Sequence, residues 1–286
     1  MIMLTAVDLD GTLLNNEKSL DEENLQAIQE AEAEGMTVAI ATGRAFYDVF
    51  HILENTGLNP WVISMNGACI HTPDQERFYH QPMDKSTALP ALEWLQQERY
   101  YFEISTQEAI LTPSWGKDLL LEEKEQAVEM AIDEDLLERI LSAQFSQKGR
   151  RWIDGFDAAA PEDIHIYNIL AMSIHPDKVQ HGWNQFKERQ DLTLVSSAPF
   201  NFELEHRAAS KGNALEQLAA HLGVPMQQTA AIGDSLNDLS MLQIAGTSFA
   251  MANANPQVKA AAARETKSNT EHGVAHALRS LFRSSV

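Results

Sequence analysis

The fold class follows from Leu4-Thr5-Ala6-Val7-Asp8-Leu9-Asp10-Gly11-Thr12. A short apolar run ends in two carboxylates and a Gly-Thr turn. Asp8 and Asp10 stand two apart, so on an extended backbone they share a face. In sheets of parallel strands, ligands gather at the carboxyl ends of the strands, where this acid pair falls. The plain alternative is a pair of turn acids before a glycine. A calcium loop does not fit. Glycine stands at the fourth loop position instead of the sixth, and Ser19 occupies the place of the bidentate glutamate.

Beyond this run, the chain alternates strand and helix. Ser19-Leu20-Asp21-Glu22 resembles a capping box for a helix ending near Gly35. Met36–Thr42 reads as a second apolar strand, followed by a helical stretch to about Gly57. Trp61–Met65 reads as a third strand, closed by Asn66-Gly67. The C-terminal part repeats this pattern. Ser210 caps a helix closed by Gly223, Thr229–Gly233 is a strand, and Ser235–Ile244 is a helix. Thr247–Ala252 is another strand, Asn255-Pro256 opens a short helix, and Glu271–Phe282 forms the last one. Such βαβ spacing predicts a parallel sheet.

The middle differs. Asp84–Arg99, Lys117–Gln144 and Asp177–Arg189 read as helices. Tyr100–Thr106, Glu108–Thr112, His165–Ile174, Leu192–Ser196 and Asn201–His206 read as strands, with Gly149–Asp163 a loop or edge strand. The expected fold class is α/β. A Rossmann-like parallel-sheet core spans 1–83 and 198–286, and an α+β module spanning 84–197 is inserted into it.

Composition narrows the function classes. The 286 residues hold 41 acids against 21 Lys and Arg, a formal charge of −20. Residues 1–83 carry 13 acids and 3 bases, residues 84–197 carry 21 and 11, and residues 198–286 carry 7 of each. Such a chain lacks the basic stripes that nucleic acids require and disfavours an anionic membrane surface. No apolar run is long enough for a transmembrane helix. Met1-Ile2-Met3-Leu4 runs straight into acidic residues without a basic n-region, so no signal peptide and a cytoplasmic location are expected. Cys69, the only cysteine, excludes an internal disulfide and a cysteine-based zinc site, and reads as a small buried apolar residue.

Three further motifs fall at strand ends. Ala41-Thr42-Gly43-Arg44 offers a hydroxyl and free amides suited to an anion, though it reads equally well as a simple strand-to-helix turn. Ser210-Lys211-Gly212 puts a lysine in the first turn of a helix, where the macrodipole disfavours it. Either Lys211 is solvated or a local anion holds it. Gly233-Asp234-Ser235-Leu236-Asn237-Asp238 supplies hard oxygen donors of the kind Mg²⁺ takes, with an acidic helix cap as the alternative.

Taken together, Asp-x-Asp-Gly-Thr, Thr-Gly-Arg, Lys-Gly and Gly-Asp-Ser-x-Asn-Asp resemble the haloacid dehalogenase superfamily of aspartate-nucleophile phosphatases. The match is to its Cof-type subfamily, which carries a class IIB cap between the second and third motifs. Asn66-Gly67-Ala68 and Glu271-His272-Gly273-Val274-Ala275 are also similar to that subfamily's patterns. The resemblance covers the cap only by position and element order.

The resemblance implies hydrolysis of a phosphate monoester through an aspartyl-phosphate. It implies Asp8 as nucleophile and Asp10 as general acid and then base. The implied Mg²⁺ ligands are the side chains of Asp8 and Asp234 and the backbone carbonyl of Asp10, with Asp238 either behind them or bound through water. Leu9, Thr42, Gly43, Lys211 and Asn237 would hold phosphate oxygens. A carboxylate about 4 Å from a phosphate dianion meets roughly 8 kcal/mol of repulsion at an effective dielectric near 20, so cations must precede attack. Asp10 suits an alkoxide leaving group, which needs a proton. An inserted lid would exclude water. Asn66, His165 and Tyr167 are candidate substrate contacts, each with a structural alternative.

The expected partner is a small phosphorylated metabolite, such as a sugar phosphate or similar monoester, with no nucleic acid, membrane or obligate protein partner. Two other functions stay open. One is a sugar phosphomutase passing the phosphoryl group to a sugar hydroxyl. The other is a regulatory module binding Mg²⁺ and phosphate without turnover.

Overall fold

A computed structural model describes residues 2–129, 133–145, 149–196 and 198–283. In chain order the first stretch gives β1 (Leu4–Asp8), α1 (Glu22–Ala33), β2 (Thr37–Ala41), α2 (Phe46–Leu53), β3 (Trp61–Ser64), β4 (Cys69–His71) and β5 (Arg77–His80). The middle gives α3 (Lys85–Gln97), β6 (Tyr101–Thr106), β7 (Ile110–Pro113), α4 (Gly116–Glu129), α5 (Glu134–Phe145), β8 (Arg150–Ile153), β9 (Ile166–Met172), α6 (Pro176–Phe186), β10 (Leu192–Val195) and β11 (Asn201–His206). The last stretch gives α7 (Lys211–His221), β12 (Thr229–Gly233), α8 (Leu239–Ile244), β13 (Thr247–Ala250), α9 (Pro256–Ala261), β14 (Arg264–Glu265) and α10 (Gly273–Arg283).

These elements form two units, Met1–His80 with Ala209–Val286, and Gln81–Ala208. The first unit holds an eight-stranded sheet in the order β14-β13-β12-β1-β2-β3-β4-β5. Its six strands from β14 to β3 run parallel. The last two are antiparallel. All five residues of β1 are buried, which is why this strand is a near-continuous apolar run. Leu4, Val7, Ile28, Val38, Ile40, Leu215 and Leu278 belong to one apolar core cluster, each such side chain contributing roughly 1.5–3 kcal/mol.

The register sets the site. Asp8 pairs with Ala41 and Val7 with Ile232, so the ends of β1, β2 and β12 meet at one edge of the sheet. Asp8, Thr42 and Asp234 follow from that alignment.

The second unit is a six-stranded sheet, β10-β11-β9-β6-β7-β8. It is antiparallel except for β7 against β8. One apolar cluster includes Leu92, Phe102, Ile169, Phe186 and Phe202, and a second includes Tyr101, Leu120, Leu137 and Leu141.

Several expectations shift. The insert runs to Ala208 rather than 197, because Asn201–His206 pairs with β9 and β10 of the insert's sheet. At its start, Gln81–Met83 also belong to it. The cap of α1 is Asp21, whose side chain accepts from the Asn24 N–H at 2.8 Å, rather than Ser19. The Lys117–Gln144 helix is two helices, and the expectation at 130–132 lies outside the described residues. Arg150–Ile153 is the edge strand left open in Gly149–Asp163. Among the described residues, no helix is long and apolar enough to cross a membrane.

Candidate active site

Lys211 opens α7 and is fully buried. Its ammonium donates to Asp8 Oδ1 at 2.7 Å and to Asp238 Oδ1 at 2.6 Å. The solvated alternative for this lysine is thereby removed; local anions hold it. The helix start is fixed by Ser210, whose hydroxyl accepts from the Asn213 N–H at 3.0 Å. Asp238 is also fully buried. Its Oδ2 accepts from the backbone N–H groups of Asp234 and Ser235, each at 2.9 Å. Of the two readings of the fourth motif, the acidic helix cap is the one that Asp238 meets. Asp238 closes a capping box with Ser235 and also anchors Lys211.

Burial pushes the Asp8 carboxyl well above the usual carboxylate range, and the neighbouring Asp238 and Asp234 push the same way against the pull of Lys211. Asp234 is also raised, by burial first and then by Asp238. Burial alone would lower Lys211, but Asp238 and Asp8 outweigh it and hold the ammonium above its ordinary value. Three acids surround one lysine, so the cluster has room for further positive charge.

A hard dication fits these residues. Asp8, Asp234 and Asp238 each offer an oxygen within 4.8 Å of the others. Asp238 already uses both oxygens on Lys211 and the backbone, which leaves Asp8 and Asp234 as the open donors. Asp8 Oδ2 is buried and has no hydrogen-bond partner. Such an orphaned acceptor is costly in a protein interior unless something binds it. Asp234 Oδ1 accepts from the Thr12 hydroxyl at 3.1 Å. Gly11 adopts φ +76°, and a Cβ there would meet Asp234 Oδ2 at 2.5 Å. The turn after Asp8 therefore needs glycine for its backbone and for the carboxylate beside it.

Asp10 is not part of that cluster. Arg44 Nε donates to its Oδ2 at 2.6 Å, and Arg44 Nη2 donates to its Oδ1 at 2.8 Å. Lys18 Nζ also reaches Oδ1 at 2.8 Å. Burial pushes the Asp10 carboxyl up, but Arg44 first and Lys18 second hold it down at about 2. Arg44 in turn places Nη1 on Asp48 at 2.6 Å. The sequence marked Arg44 only as a motif member, and nothing marked Lys18 or Asp48.

Thr42 is buried, and its hydroxyl accepts from the Arg44 N–H at 3.1 Å, which leaves its own proton free to donate. Gly43 follows at the turn into α2, and Leu9 is buried directly after Asp8. Asn66 lies in this same unit, with φ 52°, next to Met65 at φ 50°. Its N–H donates to the Thr42 carbonyl at 3.0 Å, and its Oδ1 accepts from the Asn237 amide at 3.0 Å. Asn66 therefore joins the second and fourth motifs. His165 and Tyr167 are in the insert, with ring centroids 6.4 Å apart; Tyr167 is buried.

Two asparagines outside the motifs tie down the loop after Asp8. Asn253 donates to the Gly11 carbonyl at 2.8 Å, and Asn269 donates to the Leu14 carbonyl at 3.0 Å. Nothing in local sequence could have found them, because their partners lie more than two hundred residues away.

The chain is similar to known proteins over nearly its whole length. A family model described as haloacid dehalogenase-like hydrolase matches residues 5–278. The chain is 45% identical over 283 residues to the phosphatase YwpJ of Bacillus subtilis (strain 168), covering 98% of this chain and 99% of that protein. It is 34% identical over 274 residues to the 5-amino-6-(5-phospho-D-ribitylamino)uracil phosphatase YwtE of the same organism, covering 95% of each. A solved structure of a haloacid dehalogenase-like hydrolase from B. subtilis aligns with a TM-score of 0.85 at 44% identity, covering 97% of this chain and 99% of that one. The subclass IIB sugar phosphatase BT4131 shares the fold, with a TM-score of 0.76 at 18% identity, over 97% of this chain and 98% of that one. An aspartate at a parallel strand's end, a buried lysine and an acid cluster beside it thus have their place, and the chain belongs to the haloacid dehalogenase-like hydrolases.

Proposed function

We propose that this hydrolase, a phosphatase by family, cleaves small phosphorylated metabolites such as sugar phosphates through an aspartyl-phosphate on Asp8. The observation that carries the reading is Asp8 itself. It is a buried carboxylate with one oxygen on Lys211 and the other without a hydrogen-bond partner. Asp8 forms the new P–O bond as the ester P–O bond breaks, and Asp10 hands its proton to the leaving oxygen. Asp10 then takes a proton from the water that attacks phosphorus and frees Asp8.

Lys211 holds fixed positive charge beside Asp8 throughout. The Thr42 hydroxyl, the Leu9 and Gly43 amides and Asn237 are the proposed donors to phosphate oxygens. Mg²⁺ would be held by the side chains of Asp8 and Asp234 and the carbonyl of Asp10, and when bound it offsets the repulsion between carboxylate and phosphate. Asp238 keeps Lys211 and the Asp234 backbone in place. Asn66, beside Thr42 and Asn237 in the same unit, is a proposed substrate contact.

The test is acid quench of a turning-over mixture followed by borohydride reduction, which converts a phosphorylated aspartate to homoserine. Homoserine at position 8, absent in Asp8→Asn, is the expected result. Hydrolysis by Asp8→Asn at the wild-type rate defeats the reading.

A further inference from the structure

Three consecutive residues, Met65, Asn66 and Gly67, have left-handed backbones, with φ of 50°, 52° and 97°. Among the described residues no other such run occurs. Glycine and asparagine tolerate this region, whereas methionine is strained there. Such strain persists only where the surroundings over-determine it, and here they do. The Met65 N–H donates to the Arg44 carbonyl at 2.9 Å, and the Asn66 N–H donates to the Thr42 carbonyl at 3.0 Å. A Cβ on Gly67 would run into the Ser210 carbonyl, and a Cβ on Gly43 would lie 2.9 Å from Asn66 Oδ1. The turn after β3 is thus pinned to the loops of the second and third motifs at once.

Asn66 is the polar side chain of that turn. It is buried, and its Oδ1 accepts from Asn237 Nδ2 at 3.0 Å, which brings in the fourth motif. A carboxamide nitrogen carries two hydrogens. One of those on Asn237 is committed to Asn66, which restrains the turning of the amide and leaves the other for a phosphoryl oxygen. From the strained turn and this amide pair, we infer that Asn66 is the positioning residue for Asn237. The Met65–Gly67 turn holds it in place between Gly43 and Asn237, two of the proposed phosphate donors. This rests on the phosphatase reading above and narrows the part given to Asn66 there. Its influence on the substrate passes through Asn237 to the phosphoryl group and is indifferent to the leaving group.

Inhibition by inorganic phosphate, which has no leaving group, separates this from a leaving-group contact or a purely structural role. Asn66→Gly keeps the left-handed backbone and loses the carboxamide. In that variant kcat/KM falls about tenfold for both glycerol phosphate and p-nitrophenyl phosphate, the size of one hydrogen bond to a charged group. The inhibition constant for inorganic phosphate rises by a similar factor. Asn66→Ser gives the same pattern, which keeps the test open if Asn66→Gly fails to fold. Asn237→Ala matches both. Joining Asn66→Gly to Asn237→Ala lowers kcat/KM by no more than about twofold beyond either alone, because the two residues act as one.

A loss confined to one ester, with phosphate inhibition at the wild-type level, overturns the assignment and makes Asn66 a leaving-group contact. Losses that multiply in the double variant overturn it as well, since they belong to two independent groups. Wild-type kinetics in Asn66→Gly show that only the backbone of the turn matters, and phosphate inhibition unchanged in Asn237→Ala removes the donor being positioned; either result defeats the inference. Failure of the phosphatase reading itself looks different: no homoserine forms at position 8 of the wild type, whatever Asn66→Gly does to phosphate inhibition.

Discussion

Lys211 Nζ and Asp8 Oδ1 lie 2.7 Å apart, with the lysine fully buried and the aspartate nearly so. Removing one partner of a buried ion pair costs about 3–5 kcal/mol, because the other charge stays behind without compensation. Lys211→Met therefore lowers unfolding free energy by about that amount in urea titrations and abolishes hydrolysis. An exposed pair such as Arg151 with Glu108 is worth about 0–1 kcal/mol and serves as the control. A Lys211→Met midpoint equal to wild type contradicts the burial argument.

Metal removal gives the second prediction. Chelation stops hydrolysis of p-nitrophenyl phosphate, and added Mg²⁺ restores it. Stability provides an independent readout. Ligand at a hundred times its Kd adds about 2.7 kcal/mol to the folded state, so Mg²⁺ raises Tm in the wild type. Asp234→Asn removes one of the two open donors and flattens that rise. An Asp234→Asn protein with the full Mg²⁺ response places the ion elsewhere.

Glycine substitutions separate backbone strain from the site. Gly11 and Gly35 both have positive φ, +76° and +85°, yet a Cβ meets Asp234 Oδ2 at 2.5 Å in the first and nothing within 4 Å in the second. Gly35→Ala costs about 1–2 kcal/mol of left-handed strain and keeps activity. Gly11→Ala bears that strain and also displaces Asp234, so kcat falls at least tenfold and the Mg²⁺-induced rise in Tm shrinks. Similar kinetics for the two variants contradict this.

His71 predicts a pH dependence away from the site. It is buried, stacked on Phe46 at 3.4 Å between ring centroids, and its Nδ1 has no partner. Burial first, then Arg77, pull its pKa from 6.5 to about 4. Between these values the unfolded chain binds more protons than the folded one. Stability therefore falls as pH drops from 6.5 toward 4 and is fully retained above 6.5. At about 1.4 kcal/mol per unit, the loss reaches roughly 3 kcal/mol. His71→Phe removes this part of the slope, read as the difference between wild-type and variant unfolding free energies across pH 4–7. Parallel curves contradict it.

The parallel core was legible because its strands are doubly buried and read as apolar runs, and because chemistry-bearing residues follow each run directly. The hairpin of β4 and β5 was missed. Three and four residues long, these strands are too short to show an alternation. The insert's end was misplaced because Asn-Phe-Glu-Leu-Glu-His alternates like any half-exposed strand, and the sequence cannot say which sheet it joins. Within the site, residue types and spacing gave Asp8, Lys211 and Asp234. They gave no sign that Asp238 would serve Lys211 and two backbone amides together, or that Arg44 would grip Asp10. Those pairings depend on strand order.

That strand order also governs when the enzyme can assemble. β1 lies between β2 and β12, pairing Leu4 with Thr37 on one side and with Thr229 on the other. On the ribosome, β1 emerges early and keeps one bare edge until β12 follows. Between those strands lies the whole insert, so at about 5–20 residues per second the wait is about 10–45 s. Non-local pairing of this kind folds slowly and exposes strand edges meanwhile. Asp8, at the end of β1, is made first and its neutralising Lys211 much later, so nascent chains hold a charged, half-covered sheet for most of their synthesis.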